Sequence, residues 1–387
     1  MARALLFAVG SLSVACGGDY TSGGEENVSR EAINRGWRGW SPLPTNTNGF
    51  SGSAAVCSAR VAVGNPLSDS SGYFALGLDA TSNRYRSSVY EFFTEKTAWA
   101  DFGSQTFATK ATCASLDEMY QAPIETWNNQ VAVLGRSTMS KTYYIRVVKP
   151  DTTPLGPRGT VVQPSQPTVI QDWVRISNTA YESAPAAAVY SGYLFVVGRR
   201  SDNQLYLNFN FLSSSQTRPF DNANWGTPSQ IPALPSPLVA QGDPAISNTA
   251  SVSGGWSTIL TRAKNTTTNA MSIQAILFDD LGRFSDWIQV PTGSVSVLGD
   301  PALETDLLRD MEVTVYFRAT DQRIYQASGI FAWETHDFIA ISPDAFPSDP
   351  APLGNTGLEG SHLVFANKAV GSKLQMFNSG AQTGPGD

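Results

Sequence analysis

Three residue types return in a fixed order along this chain, and each has a chemistry of its own. Tryptophan stands at Trp40, Trp99, Trp173, Trp225, Trp287 and Trp333; arginine closes apolar runs at Arg136, Arg199, Arg262 and Arg318; aspartate opens Asp202-Asn-Gln-Leu-Tyr206 and Asp321-Gln-Arg-Ile-Tyr325. A tryptophan face would receive the C–H side of a sugar ring, while arginine and aspartate would bond its hydroxyls, the mixture expected of a ligand pocket with apolar walls and a few orienting polar groups. The same residues have an architectural account. Tryptophan wedges between packed sheets, and aspartate caps a turn by accepting backbone N–H groups. The sequence leaves both readings open.

Signals for catalysis are weaker. A glycoside hydrolase needs two opposed carboxylates, and Asp79, Asp117, Glu118, Asp300, Glu304 and Asp306 are available, but availability singles none of them out. A sialidase-type aspartate box reads S-x-D-x-G-x-x-W; Ser68-Asp69-Ser70-Ser71-Gly72-Tyr73-Phe74 lacks its spacing and its tryptophan. No G-x-S-x-G nucleophile elbow is present. His336 and His362 read as hydrogen-bonded loop or core residues. With two histidines and three cysteines in no C-x-x-C pair, the chain offers no multi-ligand zinc site. No catalytic residue, metal or cofactor is therefore expected.

The start of the chain has its own logic. Arg3, the apolar stretches Ala4–Val9 and Leu12–Ala15, and then Cys16 make a segment too short to span a bilayer, so it reads as an export signal over residues 1–16. It resembles a bacterial lipoprotein signal, with Ser13-Val14-Ala15 ahead of a lipidated Cys16. Gly17, where an aspartate would retain such a protein in the inner membrane, points to the outer membrane or cell surface. Residues 17–36 are small and polar without apolar period, as in a flexible tether. That leaves Cys57 and Cys113, an even pair in an oxidising compartment, which are either bridged or two separate buried thiols.

The elements that must position these residues are strands. Charged residues are only 15% of 387, while 33 Gly, 23 Pro and 41 aromatic residues (9 Trp, 13 Tyr, 19 Phe) favour short strands and many turns. One unit reads Trp173-Val-Arg-Ile176, Ser183-Ala-Pro185-Ala186, Tyr193-Leu-Phe-Val-Val-Gly-Arg199, Asp202-Asn-Gln-Leu-Tyr206. A second reads Trp287-Ile-Gln-Val290, Gly299-Asp-Pro301-Ala302, Val313-Thr-Val-Tyr-Phe-Arg318, Asp321-Gln-Arg-Ile-Tyr325. Weaker copies follow Trp40, Trp99, Trp225 and Trp333, the last two with Gly242-Asp-Pro244 and Ser348-Asp-Pro350. The tryptophans are spaced by 46 to 74 residues, the period of a propeller blade with variable loops.

These features predict an all-β chain, a single β-propeller over residues 37–387 with about six four-stranded blades, or seven if the proline-rich insert at 150–171 hides a collapsed unit. That insert reads as a loop. The repeat ends near Leu374-Gln-Met-Phe377, one tryptophan strand short, so Trp40 should supply the missing strand and close the ring between the N- and C-terminal strands.

The order W-x-x-[IV], [SD]-P-A or A-P-A, an apolar strand ending in Arg, and D-x-x-[IL]-Y resembles the fucose-binding PLL-type lectins and related tachylectin-like bacterial propellers. The likeness is good over residues 173–330 and loose elsewhere. It implies a non-enzymatic sugar-binding protein with shallow sites between blades, lined by Trp173, Arg199, Trp225, Arg262, Trp287 and Arg318. Uneven blade lengths, the lipid anchor and six units rather than seven depart from that pattern. The net charge of −7 and the absence of a basic patch exclude a nucleic-acid partner. The expected partners are a glycan and, through the anchor, a membrane. A propeller glycoside hydrolase or polysaccharide lyase and a protein-binding scaffold are the alternatives, and a cluster of carboxylates in the central channel would favour the enzyme.

Overall fold

In the computed structural model the described residues are 38–42, 50–62, 69–91, 99–116, 130–150, 167–190, 192–212, 220–221, 224–249, 256–279, 282–306, 312–330, 334–341, 344–352, 363–367 and 374–378. The signal, Cys16, the tether, Asp117, Glu118, Trp333 and His362 lie outside them, as does residues 151–166 of the insert.

The described strands run antiparallel in six four-stranded sheets. Strand β1 (Arg38–Pro42) stands apart from its sequence neighbours. The first sheet holds β2 (Ala55–Ala62), β3 (Asp69–Leu78), β4 (Arg84–Glu91) and β5 (Ala100–Thr106). The second holds β6 (Thr112–Ser115), β7 (Val131–Arg136), β8 (Tyr143–Lys149) and β9 (Thr168–Arg175). The third holds β10 (Ala186–Tyr190), β11 (Tyr193–Arg199), β12 (Leu205–Phe211) and β13 (Ser229–Gln230). The fourth holds β14 (Leu238–Thr249), β15 (Trp256–Asn265), β16 (Met271–Asp279) and β17 (Ile288–Val290). The fifth holds β18 (Ala302–Asp306), β19 (Glu312–Arg318), β20 (Ile324–Ile330) and β21 (Glu334–Ala340). In the sixth, β22 (Ala351–Pro352), β23 (Leu363–Asn367) and β24 (Leu374–Asn378) are completed by β1, with Arg38 opposite Asn378 and Ser41 opposite Met376. Trp40 lies in that strand.

The first strand of each sheet lies against the first strand of the next: β2 on β6, β6 on β10, β10 on β14, β14 on β18, β18 on β22, and β22 on β2. The architecture is a β-propeller, its first strands innermost.

Its core lies between sheets rather than within one layer. Alternate residues of each strand face opposite neighbours. Leu194 and Val196 of β11 pack toward the second sheet with Tyr143 and Tyr181, while Phe195 and Val197 pack toward the fourth with Ile259 and Ile276. Glycines in the second strands make room for rings from the preceding segment. Phe50 sits over Gly77, Phe107 over Gly135, and Tyr143 with Tyr181 over Gly198. Tyr85 stacks on Phe107 at 4.2 Å and Tyr143 on Tyr181 at 4.0 Å.

Two expectations are corrected. The tryptophans close a sheet instead of opening one: Trp173 is in β9, and Trp99, Trp225 and Trp287 stand just ahead of β5, β13 and β17. The written order is the same, but each innermost strand begins at the Pro-Ala segment. The insert also stops being a loop at Thr168, where β9 begins immediately after the last proline, Pro167.

Candidate functional site

The segments that open the innermost strands meet at one end of the propeller. Lys110 precedes β6, Asp300 precedes β18, Asp349 precedes β22, and Asp243 lies within β14, where the register shifts between Gln241 and Ala245. That bulge accommodates Pro244, which has no N–H for the ladder, and Gly242 at φ +72°. Lys110 Nζ reaches Asp243 Oδ2 at 3.7 Å although their sheets, the second and the fourth, are not neighbours. The contact spans the axis, so this end is the mouth of the central channel.

Burial alone would pull the Lys110 ammonium down, but the facing carboxylates Asp243, Asp300 and Asp349 overcome it and hold the group above its ordinary range. Asp300 moves the other way for an acid. Burial first, then the neighbouring charge of Asp243, pushes its carboxyl up to about 6 against the pull of Lys110 and Arg262.

Around this mouth, among the described residues, the second strands other than β3 end in a clasp on the next sheet. Arg136 donates to Tyr181 O (3.1 Å), Arg199 Nε to Gly242 O (3.1 Å), and Asn367 Nδ2 to Gly52 O. Arg262 pairs with Asp300 (3.2 Å) and reaches Leu298 O; Arg318 pairs with Asp349 (3.0 Å). Asp243 Oδ1 accepts from Ala184 N at 2.7 Å. Asp300 fills the space that a side chain on Gly242 would occupy, and Asp349 does so over Gly299. The Gly-Asp-Pro copies are thus one device, in which each glycine seats the next sheet's aspartate.

The six residues expected to line a sugar site separate into two groups. Arg199, Arg262 and Arg318 gather at the mouth. The tryptophans are wedges: Trp173 packs with Phe102 and Phe107 of the first sheet's face, Trp225 is buried and donates Nε1–H to Phe220 O (3.1 Å), and Trp287 donates to Pro232 O (2.8 Å). The turn aspartates also have structural partners, Asp202 accepting from Gln204 N and Tyr206 Oη, Asp321 from Arg323 N and Tyr325 Oη.

The sequence offers Asp300 among its carboxylates but does not single out Asp243, Asp349 or Lys110. The signal for the aspartates was present in the recurring Asp-Pro, since identical positions that open innermost strands must converge on the axis. Lys110 has no such copy. Cys57 in β2 and Cys113 in β6 are joined by a disulfide, Cα to Cα 5.8 Å, across the junction of the first two sheets.

No protein-family model matches the chain, and no curated protein matches it either. Solved structures do. The alpha-L-arabinofuranosidase Arb93A from Fusarium graminearum superposes at a TM-score of 0.57 with 8% identity, over 88% of this chain and 97% of that one. AofleA from Arthrobotrys oligospora superposes at 0.56 with 9% identity, over 88% and 86%. The BP39L lectin from Burkholderia pseudomallei superposes at 0.48 with 14% identity, over 85% and 95%. At these identities the likeness establishes the fold alone.

Proposed function

We propose that this chain is a carbohydrate-binding propeller of six blades, with its ring closed where β1 pairs with β24, and that it binds without hydrolysing. On this reading it is exported, lipidated at Cys16 and displayed on the outer membrane or cell surface. The observation that carries the ligand class is the make-up of the mouth. Asp243, Asp300 and Asp349 supply acceptors, and Lys110, Arg199, Arg262 and Arg318 supply donors, in near charge balance. A set of this kind suits neighbouring hydroxyls, each both donor and acceptor, better than a strongly charged ligand. Trp173, Trp225 and Trp287 then act by holding the blades that present it.

A glycoside hydrolase is the second reading, favoured by two observations: the carboxylates Asp243, Asp300 and Asp349 cluster at the channel mouth, and a carboxyl at about 6, as Asp300 has, suits a general acid. Against it, every mouth carboxylate is already held by a cation, whereas hydrolysis also asks for a second carboxylate free to act as base or nucleophile. The test is a glycan-array screen of residues 37–387, with Asp243→Asn and Trp287→Ala/Arg318→Ala variants checked for folding by circular dichroism. Selective binding lost in the Asp243 variant supports the site. A flat array with folded protein overturns the binding reading, and release of sugar from a polysaccharide panel, abolished by Asp300→Asn, replaces it with the hydrolase.

A further inference from the structure

The clasps run from the second sheet to the third, third to fourth, fourth to fifth, fifth to sixth and sixth to first. At the first-to-second junction the register places Leu78, opposite Tyr85, where Arg136 stands opposite Tyr143 and Arg199 opposite Leu205. Leucine cannot donate. The junction keeps other bonds, Tyr85 Oη to Thr109 O (2.9 Å) beside Lys110 and Arg146 Nη1 to Phe102 O (2.7 Å), but among the described residues the end of its second strand shows no polar hold on the next sheet. The chain's disulfide sits at this same junction. Cys57 is the third residue of β2 and Cys113 the second of β6, so the bond ties the two innermost strands close to the mouth.

We infer that the Cys57–Cys113 bond is a redox latch that replaces the missing clasp and sets the position of Lys110 in the mouth. Lys110 lies three residues ahead of Cys113, and between them only Ala111 and Thr112 connect it to the tied strand. Reduction by a dithiol moves two electrons and two protons onto the cysteines: a thiolate of the reductant attacks one sulfur, its second thiolate resolves the mixed disulfide, and the reductant leaves as its own cyclic disulfide. The first two sheets then lose the cross-link that supplements the main-chain segment 107–111 between β5 and β6, and β6 with Lys110 gains freedom to withdraw from Asp243. The mouth is left with three carboxylates and a weaker central cation. Ligand affinity thus answers to the redox state at a bond that the ligand never touches. This regulation rests on the carbohydrate-binding reading; the latch itself does not.

Amide hydrogen exchange by mass spectrometry separates the two. The oxidised protein, the same protein treated with dithiothreitol, and a Cys57→Ser/Cys113→Ser variant are compared for exchange and, alongside, on the glycan array. The expected result is exchange about tenfold or more faster in residues 55–62 and 109–115 of the reduced and serine forms, the remaining sheets changing little, together with weaker glycan binding. A Leu78→Arg change in the serine background should recover part of that protection. Uniform or unchanged exchange overturns the latch. Local loosening with glycan binding intact overturns the coupling to the mouth, and binding absent from every form overturns the carbohydrate reading while the latch is judged on exchange alone.

Discussion

At the residue scale the mouth makes two predictions. Asp300 keeps a carboxyl pushed up to about 6 by burial and by Asp243, above an unfolded value near 3.9, so the folded state binds the extra proton between those limits. The stability it contributes therefore falls as pH rises from about 4 to about 6, and its ionised form costs roughly 2–3 kcal/mol at neutral pH. Asp300→Asn should flatten that limb of a pH series of thermal melts; a slope equal to the parent's would show that Asp300 is not the titrating group. Arg318 and Asp349 are each 16% exposed in the side chain. Removing one strands the other's charge in a half-buried place, and Arg318→Ala should lose about 1–3 kcal/mol in urea unfolding, with the Arg318→Ala/Asp349→Ala double variant less than additive. How much of this was legible follows from the same residues. Gly299-Asp300-Pro301 and Gly242-Asp243-Pro244 were visible as copies, but a copy does not tell whether its aspartate faces solvent, an arginine or the axis. The tryptophans stay open between two roles for the converse reason. An aromatic wedge and an aromatic platform have the same sequence signature, and only Trp225 Nε1 on Phe220 O or Trp287 Nε1 on Pro232 O distinguishes them.

Among the elements, the second strands show what the pattern could and could not specify. Apolar runs ending in Arg136, Arg199 and Arg318 coincide with β7, β11 and β19, because alternate residues there meet different neighbouring sheets and both faces must be apolar. The fourth strands are less readable. With two residues in β13 and three in β17, they hold too few side chains to show a period. Gly198 ties element to packing: an added methyl would collide with both Tyr143 and Tyr181. Gly198→Ala should therefore destabilise by about 1–3 kcal/mol, read by denaturant midpoint, whereas Gly226→Ala, with nothing within 4 Å, should shift the midpoint little. Trp287→Ala should lose roughly 3 kcal/mol, since it opens the seam between the third and fourth sheets.

For the whole molecule, stability is a matter of holding six radial sheets to one another, and the junctions do this with different chemistry. The disulfide encloses 56 residues of sequence separation. Its loss removes a constraint on the unfolded chain worth about 4 kcal/mol by loop-closure entropy, so the Cys57→Ser/Cys113→Ser protein should show a correspondingly lower free energy of unfolding in guanidinium, with little change in cooperativity. The sixth sheet has a different dependence. Without residues 1–42 its β24 edge is bare, and the truncated protein should melt earlier and self-associate on size-exclusion chromatography.

That sheet has a last consequence. If the ring closes as proposed, with Arg38 facing Asn378 across one ladder, the backbone's order around it records only where the circle was cut. A short peptide joining these strands, with new ends opened at the exposed turn Thr267-Thr268 between β15 and β16, should yield a circular permutant with the same melting behaviour. Cargo fused before residue 38 and after residue 378 would also leave from a single blade, side by side, so that a reporter pair placed there would stay in close proximity while the ring is folded and separate when it opens.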